Sequence, residues 1–406
     1  MTQTKGSDTE FIYEPKLPLR DWILLPFISV LTISLCAGST ELIANRMFPV
    51  SPLLAEDCMR LNDPATGIRG TPNSVCWEKS LEGDVVENRF NNSGYRSDVD
   101  FGPKADGTYR IVMVGTSVAA GLRVPEQQTF AVLLPAELSK MTGQKVELYN
   151  EGIVRRLPDV IALHFNEVLK FKPDMILWIV TRGDILSTAD LTQLPSPEEE
   201  AQRRSQNRFK RLWRRAKAEL SSRSLRDVPA AIFDRARSSL LLRHFLYQSQ
   251  SIYVKSYLIG DDHEMGYLKA SQSPEWQNRL RLFDVDAAKI ASQAKAAGVP
   301  LAAVFLPRGP QAAMLSMGEW PAGFDPYKLD NELRAIVESH GGTYVDICPG
   351  FRNLPNPEQY YFPYEGHPNA KGHAIISELI ARDLTSGVVP ALRPARNPRP
   401  ELAQGR

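Results

Sequence analysis

The stretch Arg110-Ile111-Val112-Met113-Val114-Gly115-Thr116-Ser117 decides the fold class. A short apolar run of β-branched residues, closed by glycine, predicts a strand buried on both faces. Ser117 then falls just beyond the strand's C-terminal end, where open α/β sheets bind their ligands. Working outward, similar runs occur at 146–150, 174–180, 300–306 and 343–347. Helical patterns separate them, the alternation of a parallel sheet with helices on both sides. Pro158 opens a helical stretch carrying Ile161, Phe165, Val168 and Leu169. Another runs from Pro274 to Gly298, a natural residue just past a helix end, directly before the strand-like Pro300–Leu306. No internal repeat is evident.

A second stretch supplies the chemistry. Tyr364-Glu365-Gly366-His367-Pro368-Asn369 puts a carboxylate two residues before a histidine, on a turn ahead of a final helix. A carboxylate can orient an imidazole and stabilise its charged form. The imidazole can then take the proton of a serine hydroxyl, which is too weak a nucleophile on its own. Buried Gly-Thr-Ser turns and capping histidines are each common alone. In this order along the chain, Ser117 and His367 point to a serine esterase.

These blocks resemble the SGNH (GDSL-type) hydrolase superfamily. The first reads Gly115-Thr116-Ser117, the second Asn150-Glu151-Gly152, the third Thr181-Arg182-Gly183-Asp184 and the last Glu365-Gly366-His367. Asn92-Ser93-Gly94-Tyr95-Arg96 and Asp63-Pro64-Ala65-Thr66-Gly67 are similar to stretches in membrane-anchored members linked to polysaccharide and lipid-carbohydrate acylation. The resemblance implies an α/β three-layer sandwich on a mainly parallel five-stranded, flavodoxin-like sheet. It further implies Ser117 as nucleophile, His367 as general base and acid, Glu365 as the orienting carboxylate, and no cofactor or metal. Oxyanion donors would be the backbone N–H groups of Ser117 and Gly152, with Arg182 as a candidate third. Three positions depart from the family pattern. Thr116 replaces an Asp, Gly183 replaces the oxyanion-donating Asn, and Glu365 replaces an Asp. Losing one oxyanion donor costs about 10²–10³ in turnover. A degenerate, non-catalytic member serving glycan binding or polysaccharide export is therefore the rival reading.

Other layouts fit less well. Ala119 stands where the nucleophile elbow of α/β-hydrolases needs its second glycine. No Gly-x-Gly-x-x-Gly, P-loop or His-Glu-x-x-His occurs. Lys+Arg 48 against Asp+Glu 47 leaves a net charge of +1 over 406 residues, so no bulk affinity for nucleic acid is implied. His164, His244, His263 and His340 are scattered singly and fit no metal-ligand spacing.

From Trp22 to Gly38 no charge appears, and Ser39 and Thr40 extend the run to Glu41. Spanning a bilayer takes about 20 such residues. A cleavable signal peptide is the alternative, but its leading segment would carry Asp8, Glu10 and Glu14. Lys5, Lys16 and Arg20 precede the span and Arg46 follows it, which puts the N-terminus in the cytoplasm. The expected organisation is a cytoplasmic segment 1–21, a transmembrane helix 22–44, an irregular lead-in 45–107, the hydrolase-like domain 108–386 and a disordered tail 387–406. Cys58 and Cys76 then face an oxidising compartment, where a disulfide closing a loop of about 18 residues would contribute about 3 kcal/mol. Cys36 and Cys348 are expected to stay reduced.

A helical insertion is expected at about 186–272. Within it, Phe209, Leu212, Trp213, Ala216 and Leu220 share a helical face, and between 203 and 226 bases surround one acid, Glu219. That segment reads as a solvated helix packed on the domain, or as a basic amphipathic helix on an anionic lipid or glycan surface. His373 reads as a capping or packing residue, Asp346 as a backup acid and Trp178 as core. Expected partners are an acylated carbohydrate or small ester, the inner membrane through one helix, and polysaccharide-synthesis proteins.

Overall fold

The computed structural model describes residues 18–49, 55–187, 236–259 and 265–394. Among the described residues nine strands fall into three sheets. The first two are antiparallel hairpins, β1 (Met59–Asp63) with β2 (Gly67–Gly70), and β3 (Val75–Lys79) with β4 (Val85–Arg89). The third contains β5 (Thr108–Val114), β6 (Lys145–Asn150), β7 (Met175–Val180), β8 (Leu301–Phe305) and β9 (Thr343–Val345). Its order is β6-β5-β7-β8-β9 and every pairing is parallel. The five expected runs are these five strands, each within a residue or two of its predicted limits.

This strand order fixes where a site can form. The chain leaves β5 toward β6 on one side and returns to β7 on the other. A crevice therefore opens between the carboxyl ends of β5 and β7, the topological switch point of a doubly wound sheet. All six residues of β7 are buried, as are Arg110 to Val114 of β5, because helices cover both faces. Trp178 on β7 is core, stacked on Phe283 at 5.2 Å.

The helices of the described domain are α2 (Phe130–Thr142), α3 (Pro158–Leu163), α4 (Phe165–Leu169), α5 (Arg182–Ser187), α6 (Arg237–Leu246), α7 (Gln250–Leu258), α8 (Pro274–Ala296), α9 (Gly309–Met317), α10 (Lys328–Ser339) and α11 (Ala370–Asp383), preceded by α1 (Leu19–Met47). Helices α2 and α11 pack on each other, while α8 packs on α3, α5 and α10. Helix α8 starts as its sequence dictates. The Ser273 hydroxyl accepts from the Trp276 N–H at 3.3 Å, and Pro274 occupies the first turn. It ends at Gly298, whose φ of 68° is left-handed. The stretch from Pro158 is two short helices rather than one, because His164 leaves helical geometry at φ −109°. Ile161, Phe165 and Val168 are nonetheless fully buried.

Two expectations change. The lead-in 45–107 is not irregular. Its polar, glycine-rich composition builds two tight hairpins joined by the Cys58–Cys76 disulfide, while Cys36 and Cys348 are free. The tail does not begin at 387, since Val389 and Leu392 are buried and Gln144 donates to the Ala391 carbonyl at 2.9 Å. The insertion 186–272 contains helices α6 and α7, but its basic segment 203–226 lies outside the described residues. Among the described residues one helix is long and apolar enough to cross a membrane, Arg20–Met47, and none of its most apolar window is buried.

Candidate active site

The nucleophile turn follows β5 directly. Gly115 has φ 154°, and a Cβ there would lie 2.8 Å from the Ile179 carbonyl oxygen, so β5 and β7 approach this closely only with glycine. The turn is braced on two sides. Asn150, at the end of β6, donates to the Ala119 carbonyl at 3.0 Å. Arg96, from the Asn92–Arg96 stretch, is buried and donates to the carbonyls of Ala120 at 3.1 Å, Val124 at 2.6 Å and Gly121. The polar lead-in thus anchors the loop that carries Ser117.

Ser117 and His367 meet. Ser117 Oγ lies 3.1 Å from His367 Nε2, within the reach of a nucleophile and its base. The His367 turn is itself tied down. Phe362 N–H donates to the His367 carbonyl at 2.8 Å, and Gly366 N–H to the Phe362 carbonyl at 2.7 Å. Asn369 caps α11 by accepting from the Gly372 N–H at 3.1 Å.

The Glu365 carboxylate does not reach the His367 ring, although the Glu365 backbone hydrogen-bonds it. The Arg123 guanidinium lies between them, pairing with the Glu365 carboxylate and standing 3.2 Å from His367 Nδ1. Arg123 also approaches Glu78 at 3.6 Å, and its own φ is 70°, an uncommon backbone for a residue with a side chain. A guanidinium only donates, whereas a hydrogen bond to the Glu365 backbone favours the protonated ring, so the tautomer depends on which of the two engages Nδ1. Burial, with Arg123, Arg308 and His373 nearby, pushes the His367 pKa down to about 3. Burial also raises the Glu365 carboxyl, with Arg123 opposing it. No feature of Leu122-Arg123-Val124 marks this arginine in the sequence, beyond its lying six residues after Ser117.

The expected oxyanion donors fare unevenly. Gly152 N–H is occupied, donating to Asn150 Oδ1 at 2.8 Å. Its glycine is explained by packing, since a Cβ would sit 2.5 Å from the Ala119 carbonyl carbon. Among the described residues the Ser117 N–H has no acceptor within hydrogen-bond distance. Arg182 is buried rather than on the surface, 5.6 Å over the Tyr267 ring. A cleft of about 160 Å³ joins Ser117, Thr181, Arg182, Gly183, Arg308 and His367.

The altered third block is a helix start. Thr181 N–H and hydroxyl donate to Asp184 Oδ2 at 2.7 and 2.6 Å, the carboxylate half of a capping box at the start of α5. Burial lifts the Asp184 pKa to about 6, against the hydrogen bonds from Thr181 and the Thr116 hydroxyl. Thr116 and Thr181 therefore meet on the Asp184 carboxyl. Asp346 pairs with Arg334, away from His367's partners. His373 Nδ1 accepts from the Phe130 N–H at 3.2 Å and its ring stacks on Phe130, a packing role.

No protein-family model and no curated protein matches the chain. Among solved structures it is similar to the acetylxylan esterase Axe2 from Geobacillus stearothermophilus, at 10% identity and TM-score 0.38 over 68% of this chain and 94% of that one. It is also similar to the lipase/acylhydrolase from Enterococcus faecalis, at 12% identity and TM-score 0.35 over 71% and 100%. A third is LAE5, an alpha/beta hydrolase enzyme from the metagenome of Lake Arreo, Spain, at 14% identity and TM-score 0.35 over 68% and 97%. At those scores the likenesses add nothing to the geometry above. A five-stranded parallel sheet, with the serine after its first strand and the histidine before the last helix, is the arrangement that the resemblance to SGNH hydrolases implies.

Proposed function

We propose that the chain is a membrane-anchored, extracytoplasmic serine esterase or O-acyl (acetyl) transferase acting on small O-esters of carbohydrate. The observation that carries this reading is the 3.1 Å approach of Ser117 Oγ to His367 Nε2, at the switch point and on the wall of a cleft. Ser117 Oγ attacks the ester carbonyl carbon as its proton passes to Nε2. The oxyanion forms beside the Ser117 N–H. Collapse breaks the ester C–O bond, and the leaving alkoxide takes the proton from Nε2. Water or a sugar hydroxyl then attacks the acyl-serine by the same steps in reverse, giving hydrolysis or transfer. Either outcome needs Nε2 free of its proton first, so an Arg123 N–H donated to Nδ1 has to be exchanged for an acceptor such as the Glu365 backbone before the first step.

Cleft size agrees with a short acyl group. The apolar helix Arg20–Met47 and the Cys58–Cys76 disulfide agree with an inner-membrane anchor and an oxidising, periplasmic side. Polysaccharide-synthesis proteins are the partners this placement suggests. A second reading, a non-catalytic glycan-binding or export-assembly protein, is favoured by Arg123 on Nδ1 and by glycine at 183. Reaction of the full chain with a fluorophosphonate probe separates them. Labelling of Ser117 supports the esterase, and its absence under conditions that label a control serine hydrolase supports the binding protein.

A further inference from the structure

We propose that Glu82 is a positioning residue for the acid–base turn, and that through His244 it ties this turn to the C-terminal end of helix α1. The proposal deepens the esterase reading and rests on it for its kinetic arm only. Glu82 lies in the loop between β3 and β4, and its side chain is 2% exposed. Its Oε2 accepts from the backbone N–H groups of Tyr364 at 2.8 Å and Glu365 at 3.0 Å. Its Oε1 faces His244 Nδ1 at 2.9 Å. One residue earlier, Leu81 N–H donates to Glu365 Oε1 at 3.1 Å. Leu81 and Glu82 therefore clamp Glu365 reciprocally, one holding its carboxylate and the other its backbone. A buried carboxylate is costly unless its oxygens are matched by donors. All three donors to Glu82 come from elements distant in sequence, so this loop has one well-satisfied seat. Glu365 sits two residues before His367, and its orientation sets where Arg123 and the ring can lie.

The second half of the chain of contacts leads outward. His244 is on α6, and its ring stands 5.4 Å from Phe48, just past the end of α1. Glu41 of α1 accepts from the N–H groups of Arg237 at 2.8 Å and Ser238 at 2.9 Å, capping α6. Glu41, α6, His244, Glu82 and the Tyr364–His367 turn thus form one contiguous path. A shift of α1 against α6 reaches the catalytic turn through Glu82.

The test uses the full chain in detergent micelles, with an aryl acetate as substrate and ¹⁵N-labelled histidine read by NMR. Glu82→Ala is expected to lower kcat about ten- to a hundredfold, the scale of a small misplacement, with KM within about twofold. The His367 ring signals should move while those of His373, packed on Phe130, stay in place. Glu82→Gln keeps a carbonyl for both backbone N–H groups and should recover most of that loss. His244→Ala and Glu41→Ala should move the His367 signals in the same direction by less. Unmoved His367 signals in Glu82→Ala, equal movement of His373, or a Gln variant no better than Ala would overturn the positioning role. Unmoved signals in Glu41→Ala would overturn the link to α1. A wild-type chain with no turnover, whose His367 signals still respond to Glu82→Ala, sinks the esterase reading and leaves this one standing.

Discussion

Arg123 Nη1 lies 3.2 Å from His367 Nδ1, on the nitrogen that an orienting carboxylate would otherwise engage. The acid and base of the expected triad are both present, but a cation separates them. The imidazole is buried and its pKa lowered, and an Arg123 N–H donated to Nδ1 would hold it in the tautomer opposite to that of a general base. Activity therefore depends on whether Arg123 can leave, and the first two predictions address that.

Arg123→Gln should raise the pH at which activity is lost on the acid side. The sign follows from charge: the guanidinium disfavours the imidazolium, so the His367 pKa of about 3 lies below its ordinary value. Removing the cation raises that pKa, and burial, the larger cause, keeps it below ordinary histidine. The acid limb of kcat/KM, followed from about pH 2 to about pH 8, should move up by about one pH unit or more. An unmoved limb would mean that Arg123 does not govern the base.

Ser117→Ala and His367→Ala should each lower aryl acetate turnover by about 10³-fold or more and abolish fluorophosphonate labelling. Glu365→Gln should be milder than either, because Arg123 rather than His367 is its immediate partner. If Glu365→Gln matches His367→Ala, the carboxylate reaches the ring during turnover.

Gly183→Asn should raise turnover by about tenfold or more, restoring a side-chain oxyanion donor at the cleft. The backbone permits it, since the Gly183 Cβ would meet only the Thr181 hydroxyl oxygen, at 3.4 Å. Arg182→Ala costing about tenfold while Gly183→Asn does nothing would assign the donor role to Arg182 instead.

Gly152→Ala should destabilise the fold by about 1–3 kcal/mol, since its Cβ collides with the Ala119–Ala120 backbone. Denaturant unfolding measures the loss. Stability equal to wild type would show that the nucleophile turn can shift without penalty.

Cys58→Ser should cost about 3 kcal/mol in the same assay, and reduced samples should match it. A periplasmic reporter fused after residue 406 should be active. An inactive reporter would reverse the proposed topology, and mass mapping with both thiols free would remove the disulfide.

Local pattern alone settled the five strands of the parallel sheet, since runs such as Met175–Val180 are apolar throughout and bounded by turn-formers. It also settled the start of α8 at Ser273-Pro274 and its stop at Gly298. Such features are legible because caps, turns and buried strands are set by residues within a few positions of each other. Tertiary structure alone decided the rest. Arg123 enters between Glu365 and His367 from a loop that carries no periodic or motif signal. Asn150 braces the Ala119 carbonyl because β6 runs beside the nucleophile turn, and Glu82 serves the catalytic turn from a hairpin that composition reads as irregular. Those contacts join segments far apart along the chain, so they depend on the three-dimensional course of the backbone and on which buried polar groups find partners there.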